Sequence, residues 1–461
     1  MSLSSTNEQT PIYERPVELL QRLIRFDTTN PPGNERECVE WIDEVLRDGG
    51  YETKILARDP ERPNLLARLQ GSGEAPSLLL QGHIDVVPVE GQDWQHPPFE
   101  GKNVEGWVWG RGALDMKGGV AMMLAAFLRA KAEGLTPPGD VLLLVLSDEE
   151  AGGDYGAKYL VEEHAGLFDG VRYALGEFGG FPLYVGGRRF YPIQVAEKQR
   201  CFLRAVVRGP GGHGVLPMRG GAMAKLARLL KRLDRRRLPV HVTPVARRFL
   251  ETMSDASPFP TGTILRGLLD PRLTDRMLAL LRSKGQVFDP MLHNTVNATI
   301  VRGGEKINVI PSEVTVELDG RLLPGYSPTD MIAEVRRLVD EDIEFEVISH
   351  DPGPSEPDMG LFDTLAGILR EADPEGIPVP LLMPAFTDAR FFSRLNIQTY
   401  GFLPMKLPAG FNFNETIHAA DERIPAEALS FGADAIYKAL QRFGPPLTSP
   451  APSSIDTVST S

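Results

Sequence analysis

The sequence predicts an α/β fold in which a mainly parallel sheet, flanked by helices, is interrupted by a smaller α+β unit. Three observations support this prediction. Short apolar segments alternate with helical stretches from residue 15 to about 195, strands with one polar face predominate between about 196 and 355, and the first pattern then resumes. Apolar strands separated by helices of about 10–15 residues are typical of a mainly parallel sheet with two covered faces.

Residues 1–195 form the first part of the predicted large domain. Helical periodicity, with apolar side chains three to four residues apart, spans 16–25 and 35–47, and further helices are expected at 119–133 and near 155–164. Asn34 precedes the second of these helices and is a residue type that often caps a helix N-terminus. The apolar runs between the helices predict strands at NLLARL, SLLLQGHIDVV, VLLLVLS and VRYALGE.

Residues 196–355 form the predicted insertion, a β-α-β-β-α-β unit with an antiparallel sheet and helices on one face. Its elements are expected at 201–208, 222–233, TVNATIVRGG, EVTVELDGRLL, 328–340 and DIEFEVISH. Residues 356–443 complete the large domain, with helices at 360–371 and 425–442 and strands near 379–386 and 397–403. The residues from 444 to 461 are rich in Pro, Ser and Thr and are expected to be a disordered tail.

Composition and charge exclude several classes of protein. The chain has 461 residues, of which 42% are hydrophobic and 24% charged, as in soluble globular proteins. Its formal net charge of −13 argues against a nucleic-acid partner, which requires clustered positive charge. Apolar runs such as VLLLVL fall short of the about 18 residues of a membrane span, so no membrane partner is expected. Cys38 and Cys201 match no metal or redox spacing and the N-terminus has no secretory signal pattern, so we expect a cytoplasmic protein.

Four segments with acidic or histidine side chains follow predicted strands. They are QGHIDVVP (81–88), RGALDMKGG (111–119), LSDEEAGG (146–153) and ALGEFGG (174–180). Ligands of open α/β sheets bind at the carboxyl ends of the strands. One such side chain could simply be a polar residue of a solvated loop, but four at the same edge indicate a shared site.

The spacing within these segments favours a metal site. His83 and Asp85 are two residues apart, so their side chains share one face of an extended strand. A carboxylate beside a metal-binding imidazole fixes the tautomer and orientation of its ring. Asp115 lies in a tight strand-to-helix turn. Glu149 and Glu150 are adjacent, where side chains diverge, so one can face a metal while the other faces a substrate.

Five segments together resemble the signature of a known enzyme family. HIDVVP, GRGALDMKGG, SDEEAGG, GEFGG and TIHAADERI are similar to those of the co-catalytic di-zinc peptidases that include aminoacylase, acetylornithine deacetylase, succinyl-diaminopimelate desuccinylase and glutamate carboxypeptidase. The resemblance runs in order over about residues 15–443. It implies a zinc-peptidase catalytic domain interrupted by a ferredoxin-like lid and dimerisation domain.

The resemblance also implies two zinc ions per chain and their ligands. His83 and Glu177 would bind one zinc, Glu150 and His418 the other, and Asp115 would bridge the two. Three ligand carboxylates against two divalent ions leave one positive charge, which a bridging hydroxide neutralises. Cobalt or manganese could occupy the same ligands.

Other residues acquire roles from the same resemblance. Glu149 matches the general base, and Asp85 matches the acid that orients the metal-binding histidine. His213, in the glycine-rich GPGGHG, would contact the transition state in the active site of a neighbouring subunit, which implies a homodimer. Asn297 in TVNATI and Arg321 in LDGRLLPG match positions that hold the substrate. PAFTDARFF resembles a substrate-cradling loop, and its polar residues are Thr387, Asp388 and Arg390.

The expected activity is therefore hydrolysis of the C–N amide bond of a peptide or an N-acyl amino acid, with the bridging hydroxide as nucleophile and Glu149 as base. Arg321 would bind the substrate carboxylate, because a guanidinium can pair with it in a bidentate manner. Three alternatives stay open: a biosynthetic deacylase acting on acetylornithine or succinyl-diaminopimelate, a non-catalytic binding protein with the same fold, and a one-metal hydrolase such as an esterase.

Overall fold

The computed structural model describes residues 10–339 and 343–444. In chain order its strands are β1 Thr53–Leu56, β2 Asn64–Leu69, β3 Ser77–His83, β4 Lys102–Val104, β5 Trp107–Trp109, β6 Val141–Leu146, β7 Val171–Gly176, β8 Leu183–Val185, β9 Arg188–Glu197, β10 Gln199–Arg208, β11 Gly212–His213, β12 Thr295–Arg302, β13 Val309–Ile310, β14 Glu313–Leu322, β15 Glu344–His350, β16 Gly376–Met383, β17 Gln398–Gly401 and β18 Arg423–Pro425. Apart from Gly444, the tail predicted at 444–461 lies outside the described residues.

The α-helices pack mostly around the large sheet. In chain order they are α1 Pro16–Ile24, α2 Arg36–Asp48, α3 Lys117–Ala132, α4 Ala157–Glu163, α5 Ala222–Arg235, α6 Pro244–Ala256, α7 Thr261–Gly267, α8 Thr274–Leu281, α9 Asp289–Leu292, α10 Pro328–Leu338, α11 Phe362–Ala372, α12 Ala389–Phe392, α13 Phe413–Thr416 and α14 Ala426–Arg442. Among the described helices, none combines the length and the apolar character that crossing a membrane would require.

The large sheet has the order β1-β2-β6-β3-β7-β17-β9-β16, with β8 paired to β9. Its centre is parallel: β3 pairs in parallel with both β6 and β7, and β17 pairs in parallel with β7. Antiparallel pairs occur on both sides of this centre: β2 joins β6 and β1 on one side, and β9 joins β17 and β8 on the other. The carboxyl ends of β6, β3 and β7 consequently lie side by side, which is the arrangement that places a site in this fold.

The apolar run in β6 shows why both faces of this sheet are covered. Val141, Leu143 and Val145 belong to the core shared with α1, α3 and α14. The alternate residues Leu142 and Leu144 belong to the opposite core, which includes α4 and α12. Because successive side chains of a strand point to opposite faces, a continuous apolar run fills two cores at once, and the predicted two-sided sheet is confirmed.

The small sheet has the order β12-β14-β10-β15, with every neighbouring pair antiparallel. Helices α5 and α10 pack against it. Alternate residues of β10, Cys201, Leu203 and Ala205, are buried in the core beneath these helices. The predicted β-α-β-β-α-β order is therefore present, with the helices covering one face.

A helical segment that the sequence did not predict lies between α5 and β12. Helix α6 packs against β9 and β16 of the large sheet. Its side chains Val245, Phe249, Leu250 and Met253 belong to the same core as α3 and α14. Part of the stretch predicted as an insertion thus contributes to the core of the large sheet, and the domain boundaries at 195 and 355 stay a prediction.

Candidate metal centre

Three neighbouring strands bring their terminal residues to one edge of the large sheet. His83 is the last residue of β3, and Asp85 follows it by two positions. Glu149 and Glu150 come just after β6, and Glu177 comes directly after β7. The side chains that the sequence placed at strand ends therefore meet, because β6, β3 and β7 are adjacent and parallel.

Asp115 and His418 complete this cluster from outside the sheet. Asp115 lies in the turn that leads into α3, and His418 lies between α13 and β18. The Nε2 atom of His83 is 3.3 Å from Oδ1 of Asp115, and Nε2 of His418 is 3.1 Å from its Oδ2. The Asp115 carboxylate therefore lies between the two imidazoles, with one oxygen towards each.

The remaining carboxylates divide between the two imidazoles. Glu177 Oε2 is 3.7 Å from Nε2 of His83, and Glu150 Oε1 is 3.2 Å from Nε2 of His418. Potential ligand atoms of His83, Glu149 and Glu177 all lie within 4.8 Å of one another, as do those of His83, Asp115 and Glu150. Glu149 is therefore on the His83 side of the cluster, and its carboxylate faces the same space as the ligand atoms.

The cluster is buried on the sheet side and open on the other. His83, Asp85, Asp115 and Glu177 are all less than 9% exposed. The side chain of His418, in contrast, is 47% exposed. A small molecule can therefore approach the cluster past His418.

Burial and mutual repulsion perturb the titration of the cluster. Burial raises the pKa of the Glu177 carboxyl to about 7. Burial, together with the charge of Glu177, raises the pKa of Glu149 well above its ordinary value. Hydrogen bonds to Asp115 and Glu150 raise the pKa of His418 to about 10. The site is therefore one in which carboxylates are crowded and a cation is strongly favoured.

The donor set fits divalent metal ions. The four carboxylates of Asp115, Glu149, Glu150 and Glu177 converge with two imidazole Nε2 atoms within a few ångströms. Carboxylate oxygen and imidazole nitrogen are the ligands that zinc takes in catalytic sites. Cations at this position would offset the repulsion among these carboxylates.

Asp85 connects the histidine to the adjacent glutamates. Its Oδ1 accepts the backbone N–H of Glu149 at 3.0 Å, and its Oδ2 accepts that of Glu150 at 3.0 Å. His83 Nδ1 lies 3.0 Å from the Asp85 carbonyl oxygen and 3.4 Å from its Oδ1. One buried carboxylate thus holds the backbone that carries both glutamates, beside the ring that it was predicted to orient.

Behind Asp85 lies a buried polar network that sequence reasoning missed. Asn30 Nδ2 donates to Asp85 Oδ2 at 2.9 Å and to Asp148 Oδ1 at 3.0 Å. Arg62 donates to Asp148 Oδ1 at 2.9 Å and makes two further hydrogen bonds to Glu35. Asp148 has a φ of +70°, a conformation that costs free energy in a residue other than glycine. The network holds that backbone in place, directly before Glu149.

The candidate residues on the small sheet lie apart from this cluster. His213 is exposed on β11, where the Val215 N–H donates to its Nδ1 at 3.2 Å. Asn297 is exposed on β12. Arg321 on β14 pairs with Asp319 through Nε and Nη2, at 2.6 and 2.9 Å, and its guanidinium lies over the Phe386 ring. Within the described part of the chain, no hydrogen bond or ion pair joins these three side chains to the cluster.

The three polar residues predicted in the segment after β16 differ in their hydrogen bonding. Thr387 donates from both its N–H and its hydroxyl to Oε2 of Glu197, whose pKa burial raises to about 8. Arg390 Nη2 donates to the carbonyl of Gly152 at 3.1 Å. Asp388 is 1% exposed, and neither of its carboxylate oxygens has a hydrogen-bond partner among the described residues. Of these three residues, Asp388 is therefore the one with carboxylate oxygens that still lack a hydrogen-bond donor.

Comparison with known proteins identifies the family. Residues 79–442 match the model of Peptidase family M20/M25/M40. The chain belongs to this family. The resemblance found in the sequence motifs is thereby confirmed, and the chain is a metal-dependent hydrolase of amide bonds. The non-catalytic alternative is therefore not supported, whereas the one-metal alternative stays untested.

Relatives and solved structures agree with this assignment. The chain is 29% identical over 398 residues to the human N-fatty-acyl-amino acid synthase/hydrolase PM20D1, covering 82% of this chain and 76% of that protein. It is 26% identical over 450 residues to succinyl-diaminopimelate desuccinylase of Paracoccus denitrificans, covering 94% and 99%.

Solved structures share the fold at lower identity. The M20 family metallo-carboxypeptidase Sso-CP2 from Sulfolobus solfataricus has a TM-score of 0.64 at 15% identity, covering 92% of this chain and 98% of that one. The YXEP protein of Bacillus subtilis, described as a dinuclear metal-binding peptidase from the M20 family, has a TM-score of 0.57 at 14% identity, covering 93% and 97%. This family therefore includes dinuclear metal peptidases.

Proposed function

We propose that this chain is a di-zinc hydrolase that cleaves the amide bond of peptides or N-acyl amino acids bearing a free carboxylate. His83, Asp115 and Glu177 would hold one zinc, and Asp115, Glu150 and His418 the other. The observation that supports this most strongly is the position of the Asp115 carboxylate, which has one oxygen 3.3 Å from His83 and the other 3.1 Å from His418. A shared ligand requires this geometry.

Glu149 is the proposed general base. When bound, two zinc ions polarise the scissile carbonyl and lower the pKa of an attacking water. The Glu149 carboxylate takes the proton of that water and delivers it to the departing amine nitrogen. Asp85 keeps the Glu149 backbone in position throughout.

Arg321 and the loop after β16 are the proposed substrate contacts. A guanidinium has five N–H donors, and Asp319 uses Nε and Nη2 of Arg321, so further donors can reach a carboxylate. Asp319 then fixes the plane of the guanidinium. Asn297, Thr387 and Asp388 are proposed to contact the rest of the substrate, and the unpartnered oxygens of Asp388 suit an N–H donor.

This assignment of Arg321 is testable with a matched pair of substrates. The Arg321→Ala variant should lower kcat/KM for an N-acetyl amino acid about as much as amidation of the substrate carboxyl does in the wild type, and the two losses should not add. Arg204→Ala is the control, since Arg204 lies on the same sheet and pairs with Glu317. Fully additive losses would place the carboxylate elsewhere.

A homodimer is the proposed assembly. Val215, Leu216 and Ile307 are exposed around the β11–β13 ribbon, and Ile300 and Val301 are exposed on β12, which is an edge strand of the small sheet. Exposed apolar side chains beside an unpaired strand edge favour association with a second copy. His213, on the same ribbon, would then enter the site of the partner subunit and donate to the oxyanion.

Mixed dimers test the shared site. His213→Ala should lower turnover by roughly 10²–10³, as for other lost oxyanion donors, and Glu149→Gln should also be nearly inactive. After subunit exchange in equal amounts, half the dimers are mixed and each has one complete site of two, so about a quarter of wild-type activity should return. If the subunits exchange and no activity returns, His213 does not act across the interface.

A second candidate substrate is succinyl-diaminopimelate, or acetylornithine by the same chemistry. The alignment with the desuccinylase supports it, since it covers 94% of this chain and 99% of that protein. Comparing kcat/KM for dipeptides, N-acyl amino acids and succinyl-diaminopimelate on zinc-loaded protein decides between the two substrate classes.

A cytoplasmic location is proposed because the two cysteines are both free and buried.

A further inference from the structure

We propose that the buried ion pair of Arg111 and Glu422 is a positioning device that holds Asp115 and His418, the ligands of the second metal, in register with each other. This inference rests on the proposed metal ligands. The two partners are 311 positions apart in the chain, yet Nη1 of Arg111 is 2.6 Å from Oε2 of Glu422. Neither side chain is more than 1% exposed.

Glu422 holds the Asp115 side of the centre. Its Oε1 accepts the backbone N–H of Leu114 at 2.8 Å and that of Asp115 at 3.2 Å. Both of its carboxylate oxygens are therefore occupied by hydrogen bonds within the protein. Glu422 thus acts on the turn that carries Asp115 rather than as a metal ligand itself.

Arg111 holds the His418 side. Its Nη1 donates to the Ala419 carbonyl at 3.1 Å, and its Nη2 donates to the His418 carbonyl at 3.3 Å. Its Nη2 also donates at 2.8 Å to Oε1 of Gln92, whose own Nε2 donates to the His418 carbonyl at 2.9 Å. These bonds converge on His418, whose φ is +61°. Such a strained conformation persists only when the surrounding structure holds it.

The pair therefore adds a side-chain link between two segments whose neighbouring strands, β5 and β18, are already paired through their backbones. The turn at Asp115 is tied to Glu422, Glu422 to Arg111, and Arg111 to the backbone at His418. A change at any point shifts Asp115 relative to His418, whose facing atoms are 3.1 Å apart. Metal affinity depends on such placement, and loss of a partner behind a metal ligand commonly weakens binding by about 10–100-fold.

The test compares zinc affinity in Glu422→Gln and in the wild type by competition with a chromophoric chelator at fixed pH. The glutamine oxygen can still accept from Leu114 and Asp115, but its NH₂ group faces the donors of Arg111. We expect the dissociation constant of the more weakly bound zinc to rise by about 10–100-fold. Asp373→Asn is the control, because it alters another ion pair with a buried carboxylate, Arg189–Asp373, away from the metal centre, and it should leave zinc affinity unchanged.

Gln92→Ala provides a milder variant if Glu422→Gln does not fold. It removes only the donor to the His418 carbonyl and the acceptor for Arg111, and it should weaken zinc binding by roughly two- to tenfold. Unchanged zinc affinity in the folded variants, with a lowered melting temperature alone, would reduce the pair to a purely structural role. Wild-type protein that binds fewer than two zinc ions in the same titration would instead overturn the proposed function.

Discussion

Replacing Asp115 by alanine is expected to remove metal from both sites and to abolish measurable turnover. The Asp115 carboxylate faces both His83 and His418, so its loss removes a ligand from each metal at once. The effect should exceed that of Glu177→Ala or Glu150→Ala, each of which removes a ligand from one site only. Metal analysis of the purified variants, together with their turnover, measures this difference.

Two controls separate ligand loss from general damage. Asp154→Ala removes an exposed carboxylate from a surface ion pair with Lys158, and it should keep two zinc ions and full turnover. The circular dichroism spectrum of Asp115→Ala should match that of the metal-free wild type. Retention of one tightly bound zinc in Asp115→Ala would contradict its role as the shared ligand.

Replacing Glu149 by glutamine is expected to keep both metals and to lower kcat by about 10²–10⁴, the usual effect of losing a general base. The substitution preserves the size of the side chain but removes the oxygen that takes the proton. Substrate binding should change little, so the loss should fall on kcat rather than on KM.

Metal content decides how this result is interpreted. Potential ligand atoms of Glu149, His83 and Glu177 lie within 4.8 Å of one another, so the carboxylate is close enough to bind a metal itself. Loss of one zinc together with turnover in Glu149→Gln would reverse the assignments of Glu149 and Glu150. Glu90→Gln, at an exposed position, should change neither quantity.

Much of the large sheet could be predicted because its sequence signals are local. The run VLLLVL predicts a doubly buried strand, and β6 spans Val141–Leu146. The helix predicted over 119–133 is α3, Lys117–Ala132. Every residue of β6 and most residues of α3 are buried, as their largely apolar composition indicates.

The helices from α6 to α9 were not predicted, and their packing explains why. The residues of α6 that enter the core, Val245, Phe249, Leu250 and Met253, pack against β9 and β16, which are distant in sequence. The preceding pattern of alternating strands therefore gave no indication that the chain returns to the large sheet before β12. Burial of this kind depends on tertiary neighbours that periodicity does not reveal.

The candidate metal centre likewise combines features that local sequence signals predicted with features that depend on distant residues. The placement of His83, Glu150 and Glu177 at the carboxyl ends of predicted strands indicated that these side chains meet, and the strands are adjacent in the structure. The supports behind them were missed: Asn30, Arg62 and Glu422 act through hydrogen bonds to residues 55, 86 and 308 positions away. Arg111 lies in GRGALDMKGG and Glu422 in TIHAADERI, but nothing in a single sequence pairs the two.

Zinc titration of the metal-free wild-type chain tests the central claim most directly. Turnover of an N-acetyl amino acid or a dipeptide is followed as zinc is added in known ratio to protein, with bound zinc measured in parallel. The proposed mechanism predicts that activity rises until two zinc ions are bound per chain and then stays constant. Full activity at one bound zinc, with no gain from a second, would contradict it.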